Sequence, residues 1–291
     1  MQLRPLEMIR PSIEAVRSQA QRLTTPCGSG GIVWHAWGSS DAPRGPLVVW
    51  HGGSGSWTHW LCNVQALAEA GFYVLAADLP GFGESAVPPD GGDADAMVTP
   101  LHIGLKQLLS GRSFTLMGFS FGGMTAGLYT AEFPSKVERL VIVGAPGLGL
   151  AARPFQGMKA WRHLTDPTER REIHRFNLRT LMLAHDDSVD DQAVEIQETN
   201  VPRDRLPGRR LAFTGALADA LHKVHCPVHV IYGWDDALYQ GRQDVLEAKF
   251  RASSPSLQSF EFVPDAGHWV QYERPDAFNA VLLKTLNQKA T

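Results

Sequence analysis

The chain has 291 residues, enough for two small domains or for one α/β domain that carries an insertion. Hydrophobic residues make up 44% of it and charged residues 20%, which excludes a largely disordered chain. The formal net charge is −3, and the longest basic cluster, Arg203 to Arg210, is interrupted by Asp204, Leu206, Pro207 and Gly208. Nucleic acid is therefore a poor candidate partner, and we interpret the cluster as a solvated surface.

The amino terminus carries Arg4, Glu7 and Arg10 where a signal peptide needs an unbroken apolar stretch. No apolar run reaches the roughly 18 residues of a membrane-spanning helix. The cysteines, at positions 27, 62 and 226, leave an odd thiol if two of them pair, which favours a reducing compartment. We therefore expect a cytoplasmic protein with no membrane partner, acting as a monomer or homodimer.

Predicted elements begin with two antiparallel strands, 20–25 and 32–37, around a glycine-rich turn. Strand and helix signals then alternate, and after a gap the alternation resumes. The repeated strand–helix unit predicts an eight-stranded, mostly parallel sheet with helices on both faces. The later strands are predicted at 46–50, 72–77, 114–118, 137–143, 227–232 and 259–263, and the helices at 57–70, 97–110, 121–133, 241–250 and 275–286.

The gap in the alternation indicates an insertion. From about residue 147 to residue 223 the strand signal is missing, and helix-like stretches occur at 158–163, 167–184 and 190–200. We predict a helical cap over residues 147–223, inserted after the sixth strand between two core segments, 1–146 and 224–291.

One motif points to nucleophilic catalysis. Residues 118–122 read Gly-Phe-Ser-Phe-Gly, follow an apolar strand and open an apolar helix, which is the setting of a nucleophile elbow. Such a turn presents the hydroxyl of Ser120 at a tight corner, whereas the alternative interpretation is an ordinary helix N-cap. A serine hydroxyl also needs a base and a group that orients the base.

Both partners are available after later strands. His268 lies in the loop that follows the last strand, where an imidazole reaches the carboxyl edge of a parallel sheet. Asp235 and Asp236 follow the strand before it, and either carboxylate can bond the imidazole. We choose Asp236 as the acid. The chain order Ser, Asp, His agrees with that of an α/β-hydrolase.

The reaction further needs N–H groups that face the developing oxyanion. The segment 51–56, His-Gly-Gly-Ser-Gly-Ser, is a glycine-rich loop directly after an early strand. We expect the backbone N–H groups of Gly53 and Phe121 to form the oxyanion hole.

Nearly the whole chain resembles the α/β-hydrolase superfamily in its branch with a helical cap. The resemblance is carried by segments 51–53, 78–85, 118–123, 233–236 and 267–268, in this order. It implies that Asp236 is the acid of the triad and that Asp78 is structural.

Within the superfamily, segments 144–149 and 267–278 are similar to the meta-cleavage-product hydrolases, which cleave a carbon–carbon bond in vinylogous diketo acids. Two positions depart from that subfamily: Phe119 stands where a polar asparagine is usual, and Glu195 stands where the cap arginine for the substrate carboxylate is usual. Arg203, Arg205, Arg209 and Arg210 are candidates to replace that cation.

The sequence therefore predicts a serine hydrolase for a small to medium, largely apolar carbonyl substrate: an ester, lactone or thioester, or a vinylogous diketone. A slow, receptor-like ligand binder and a cofactor-free haloperoxidase remain alternatives. We expect no cofactor and no metal, because the spacing of His222, His225 and Cys226 lacks a second ligand pair. We expect substrate contacts at Ser54, Phe119, Trp161 and Trp269, and candidate cap contacts at Phe155, Met158, Trp161, Phe176, Leu181 and Met182.

Overall fold

A computed structural model describes residues 10–150 and 157–287, and an eight-stranded sheet is its centre. The strand order is β1-β2-β4-β3-β5-β6-β7-β8. Strand β2 runs antiparallel to both of its neighbours, β1 and β4, and the strands from β3 to β8 are parallel to one another. The predicted fold class is confirmed. The strands are β1 Gln21–Cys27, β2 Gly30–Trp37, β3 Pro46–Trp50, β4 Tyr73–Ala77, β5 Phe114–Phe119, β6 Val137–Val143, β7 Val228–Gly233 and β8 Leu257–Val263.

The α-helices of the described residues lie before, between and after these strands. They are α1 Ile13–Ser18, α2 Val64–Glu69, α3 Ala94–Leu108, α4 Phe121–Glu132, α5 Pro167–Asn177, α6 Asp191–Asn200, α7 Ala216–Leu221, α8 Gln243–Ser253, α9 Val270–Glu273 and α10 Pro275–Asn287. Helix α5 continues as a π-helix over Leu178–Met182. No helix of the described segments is long and apolar enough to cross a membrane.

Alternating side chains of the sheet build two hydrophobic cores. In β3, Val48 and Trp50 face one core and Leu47 and Val49 face the other, and all four are fully buried. Helices α3, α4 and α8 cover the first face, and α2 and α10 cover the second. Burial on both faces explains why the parallel strands are continuous apolar runs rather than alternating ones.

The predicted cap region contains α5, α6 and α7, but one of its predicted helices is wrong. Residues 158–163 form turns and irregular structure. Here the backbone of Lys159 makes two hydrogen bonds to the side chain of Asn177. The Lys159 N–H donates to Asn177 Oδ1 at 2.8 Å, and Asn177 Nδ2 donates to the Lys159 carbonyl at 2.9 Å. Those backbone groups are thereby engaged outside any helix. At the other end of the region, Leu217 of α7 packs against Gly127 of the core helix α4.

Candidate active site

Ser120 occupies a sharp turn between β5 and α4. Its φ is 52° and its ψ is −119°, and residues other than glycine rarely adopt a positive φ. The turn is held from both sides, because the Ser120 N–H donates to the carbonyl of Val143 at 2.7 Å and its carbonyl accepts from Met124 at 3.1 Å. The backbone strain at this serine is what a nucleophile elbow requires.

Two glycines of the motif let the turn pack closely. A Cβ on Gly118 would lie 2.2 Å from the carbonyl oxygen of Gly122, and a Cβ on Gly122 would lie 2.4 Å from the carbonyl oxygen of His51. Both obstacles are backbone atoms, so they cannot rotate away. The G-x-S-x-G spacing is therefore dictated by backbone contact at this corner.

Ser120, His268 and Asp236 form one hydrogen-bonded line. The Ser120 Oγ lies 2.9 Å from His268 Nε2, and His268 Nδ1 lies 2.9 Å from Asp236 Oδ2. An ionised carboxylate can only accept, so Nδ1 carries the proton and Nε2 is left to accept from the serine hydroxyl. His268 and Asp236 are both buried. The arrangement can transfer a proton from Ser120 to His268 and stabilise the resulting imidazolium.

Of the two adjacent aspartates, Asp236 is the one that contacts His268. Its second oxygen, Oδ1, accepts from the backbone N–H of Leu238 at 2.9 Å. Each of the two carboxylate oxygens therefore has its own hydrogen-bond donor, which fixes the orientation of the carboxylate. Asp235 is half-buried, and its backbone N–H donates to the carbonyl of Ala266 at 2.9 Å.

The two residues expected at the oxyanion hole lie side by side next to Ser120. Gly53 and Phe121 both line the same cavity as the serine, and a Cβ on Gly53 would be 3.7 Å from the Cβ of Phe121. Phe121 is the first residue of α4, so its N–H has no partner within the helix. Both N–H groups remain predicted donors.

Two buried histidines shape the loop that contains Gly53. His51 Nδ1 donates to the carbonyl of Gly52 at 2.7 Å, and His59 Nδ1 accepts from the Gly52 N–H at 3.2 Å. Burial lowers the pKa of His51 to about 4 and that of His59 well below its usual value, so both rings are neutral. His59 was not predicted from the sequence, because no local motif marks it.

A buried carboxylate ties the His268 loop to the predicted cap. Glu273 accepts from the backbone N–H of Gly267 at 2.6 Å, of Ala184 at 3.1 Å and of His185 at 2.9 Å. The loop that carries His268 and the segment after the π-helix therefore share one anchor. Glu273 was likewise not predicted from the sequence.

Ser120 and His268 open onto a cavity of about 740 Å³. Most of its wall is apolar, with carbon-rich side chains from the loops of the core and from the predicted cap region. Ser54, Phe119, Leu181 and Met182, four of the residues predicted to contact substrate, are part of its wall. Its further apolar side chains are those of Phe121, Pro146, Leu150, Leu206, Pro207, Ala212, Phe213, Leu238 and Tyr239.

The other expected contacts lie elsewhere. Met158 and Trp161 line an adjoining cavity of about 420 Å³, which shares Ser54 and Met182 with the first. Trp269 was predicted to contact substrate, but it is not among the described residues that line the main cavity. Its ring stacks on Tyr272, and its Nε1 donates to the carbonyl of His59.

Phe176 and Phe155 are the last two expected substrate contacts. Phe176 is outside the described walls of both cavities and packs under the ammonium group of Lys159. Phe155 lies outside the described residues.

Charged groups also line the main cavity. Arg162 and the hydrogen-bonded pair Asp204–Arg209 belong to its wall, whereas Glu195 lies on α6 in a separate surface pocket. Arg205 instead bonds backbone carbonyls of residues 81–85. The basic cluster is thus only partly a solvated surface. Arg162 and Asp204 were not predicted from the sequence as cavity residues, because their positions depend on contacts between segments that are distant in the chain.

Asp78 caps the loop beneath the site. It accepts from the backbone N–H groups of Trp57 and Glu84, both at 2.9 Å, and burial raises its pKa to about 6.

Among the described residues, no group of three or more His, Cys, Asp or Glu side chains could hold a metal ion.

Known proteins resemble the chain over most of its length. A family model described as the α/β-hydrolase fold matches residues 45–275. A 2-hydroxy-6-oxononadienedioate/2-hydroxy-6-oxononatrienedioate hydrolase of Comamonas testosteroni is 26% identical over 85% of this chain and 90% of that protein. A 2-hydroxy-6-oxo-6-phenylhexa-2,4-dienoate hydrolase of Burkholderia cepacia is 25% identical over 85% and 90%. The structure of naproxen esterase from Bacillus subtilis superimposes with a TM-score of 0.71 at 18% identity, over 92% of both chains.

Proposed function

The chain belongs to the α/β-hydrolase family of enzymes, and on that premise we propose that it is a serine hydrolase that cleaves a largely apolar carboxylic ester, lactone or thioester. The observation that carries the proposal is the hydrogen-bonded line Ser120–His268–Asp236, which ends at an apolar cavity. Strain at Ser120 and burial of the other two side chains support the same roles.

In the first half-reaction, the Ser120 Oγ attacks the substrate carbonyl carbon while His268 Nε2 takes the hydroxyl proton. The negative charge that develops on the carbonyl oxygen is stabilised by the N–H groups of Gly53 and Phe121. The imidazolium is stabilised by Asp236. His268 then gives the proton to the leaving oxygen or sulfur, the bond to the leaving group breaks, and Ser120 is acylated.

In the second half-reaction, a water molecule attacks the acyl carbon. His268 takes a proton from that water and returns it to the Ser120 Oγ as the acyl–serine bond breaks, so the products are a free acid and the unchanged enzyme. No metal or cofactor enters either step.

The cavity supports a substrate of small to medium size. Its volume of about 740 Å³ lies within the range of small-molecule sites, and its apolar wall favours a hydrocarbon or aromatic acyl group. Phe119, next to the nucleophile, is fully buried in that wall, at the position where the carbon–carbon hydrolases usually place a polar residue.

Carbon–carbon bond hydrolysis is the second candidate. The names of the relatives favour it. Arg162 supports it as a cationic residue of the cavity wall, although its guanidinium also contacts the carbonyl of Val201 and the ring of Trp161. In that reaction the leaving group is a carbon atom, which receives the proton instead of oxygen.

The test is a comparison of wild type with Ser120→Ala on aryl esters, lactones, thioesters and vinylogous diketo acids. Ser113→Ala, which changes a half-buried serine that bonds Glu138 away from the cavity, is the matched control. Labelling by a fluorophosphonate probe, followed by peptide mapping, identifies the nucleophile. Perhydrolysis with peroxide and a short carboxylic acid is measured in parallel, as is saturable binding of the same panel.

The proposal predicts that wild type and Ser113→Ala cleave one ester class at least about a thousandfold faster than Ser120→Ala, and that the label lies on Ser120. Preferential cleavage of diketo acids would select the second candidate. Binding without labelling or turnover would favour a receptor-like protein, and perhydrolysis as the dominant activity would favour a haloperoxidase.

A further inference from the structure

Ser54, the residue after the predicted oxyanion donor Gly53, has an unusual backbone conformation. Its φ is 52°, in the left-handed region, although it carries a side chain. The strain is local to the loop that must present the Gly53 N–H to the substrate. A non-glycine residue keeps such a conformation only where surrounding contacts hold it there.

The contact that holds it comes from the predicted cap region. The Ser54 hydroxyl donates to Asp204 Oδ2 at 2.5 Å, across 150 residues of sequence. An ionised carboxylate can only accept, so the bond fixes the direction of the Ser54 hydroxyl as well as its position. Both side chains line the main cavity.

Asp204 is itself held rigidly. Arg209 donates from Nη1 to Oδ1 at 2.7 Å and from Nη2 to Oδ2 at 2.8 Å, a bidentate pair, and the N–H of Leu206 donates to Oδ1 at 3.1 Å. Burial alone would raise the pKa of Asp204, but the hydrogen bonds from Arg209 and Ser54 outweigh it and the net pKa is lowered. The carboxylate therefore stays ionised at neutral pH.

The arginine also contacts the other side of the predicted oxyanion hole. Its guanidinium carbon lies 5.3 Å from the ring centroid of Phe121 and 4.9 Å from that of Phe82. Its Nη2 would be 3.7 Å from a Cβ placed on Gly53. The Asp204–Arg209 ion pair therefore lies next to both residues, Gly53 and Phe121, that are expected to donate to the oxyanion.

We propose that Asp204, clamped by Arg209, is a positioning residue that sets the Gly53–Ser54 backbone relative to Ser120 through its bond to the Ser54 hydroxyl. This inference rests on the proposed function and extends it, because the pair acts on the oxyanion donors without touching the reacting atoms. Removal of one well-placed oxyanion donor costs about 10²–10³ in kcat, so a donor that is displaced but present costs less.

The test is a double-mutant cycle with Ser54→Ala, Asp204→Ala and the double variant. Each single variant is expected to lower kcat by about 10- to 100-fold, with KM changed less than about threefold, because a group that acts only on the transition state lowers kcat alone. The double variant is expected to be no slower than the slower single variant, since both remove the same bond. Asp204→Asn keeps an oxygen for Ser54 and is expected to fall between wild type and Asp204→Ala.

Asp191→Ala is the matched control. It removes a carboxylate of the predicted cap region that pairs with Arg171 and Arg175, away from the main cavity, and should leave kcat at the wild-type value. Melting temperatures identify variants that lose the fold. If Asp204→Ala does not fold, Ser54→Ala, which leaves the ion pair intact, carries the test together with Asp204→Asn.

Fully additive losses in the cycle would overturn the proposal, as would a raised KM with unchanged kcat or kcat values equal to that of Asp191→Ala. If wild type itself neither labels at Ser120 nor turns over any ester, the proposed function fails and the positioning role fails with it. Turnover by wild type with unaffected variants removes the positioning role alone.

Discussion

The carboxylate of Glu273 accepts a hydrogen bond from the backbone N–H of Gly267, the residue that precedes His268, at 2.6 Å. The same carboxylate holds Ala184 and His185, so it joins the loop of the expected base to the segment that follows the cavity residue Met182. The position of His268 therefore depends on a side chain that takes no part in proton transfer.

Glu273→Gln should impair both folding and activity. Glutamine offers one acceptor oxygen where glutamate offers two, so at least one backbone N–H faces an NH₂ group. We expect the free energy of unfolding to fall by about 1–3 kcal/mol, the cost of an unsatisfied buried polar group. Displacement of His268 should lower kcat by about 10- to 100-fold.

Denaturant unfolding and steady-state kinetics on the same preparations measure these two effects. Glu69→Gln, a change on the exposed face of α2, is the control and should match wild type in both. Wild-type stability in Glu273→Gln would contradict the anchoring role.

Asp236→Asn and Asp235→Asn should differ sharply. The amide at position 236 cannot stabilise the imidazolium and favours the wrong tautomer of His268, so kcat should fall by about 10⁴-fold, as in serine proteases. Asp235 lies outside the hydrogen-bonded line, and its asparagine variant should keep close to the wild-type kcat because it removes no bond to His268. Equal losses in the two variants would reassign the acid. Steady-state ester hydrolysis is the measurement.

Gly122→Ala should destabilise the chain at the turn below Ser120. The new Cβ would lie 2.4 Å from the carbonyl oxygen of His51 and 2.7 Å from that of Trp50, both backbone atoms of the neighbouring strand end. We expect a loss of about 3 kcal/mol, the upper part of the range for overpacking. Gly92→Ala, whose Cβ would be 4.0 Å from Leu206, is the control for thermal unfolding. An unchanged melting temperature in Gly122→Ala would refute the close-packing argument.

Acid should destabilise the fold through its buried histidines. Burial lowers the pKa of His35, His51 and His229 to about 4. Between the ordinary histidine pKa of about 6.5 and pH 4, the unfolded chain binds protons that the folded chain refuses, so the free energy of unfolding falls as the pH falls. Asp78, with its pKa raised to about 6, acts in the opposite direction but is a single group.

His229→Gln tests this dependence away from the active site. Between about pH 4.5 and 6.5, the free energy of unfolding, measured in denaturant titrations, should depend less steeply on pH in the variant than in wild type. The difference in slope should be up to about 1.4 kcal/mol per pH unit, the value for one linked proton. The same slope in wild type and variant would show that this ring does not contribute.

The sheet and the positions of the three side chains in the hydrogen-bonded line Ser120–His268–Asp236 were predictable because each depends on local pattern. Buried parallel strands are short apolar runs, and Ser120, Asp236 and His268 each follow such a run. The helix predicted at 158–163 was wrong because Asn177, distant in sequence, takes up the backbone groups of Lys159. Glu273 and Asp204 were missed for a related reason: a glutamate or aspartate in isolation gives no sign of which backbone or side chain it will bind.

The separations along the chain within this site have a consequence for how the protein acquires activity. Ser120 and His268 are 148 residues apart, and Ser54 and Asp204 are 150 apart. Contacts between such remote segments form only after the intervening chain has been ordered, because closing a long loop costs entropy before any contact repays it. Recovery of turnover after dilution from denaturant should therefore lag behind recovery of helical circular dichroism, which makes enzymatic rate a reporter of the last stage of folding.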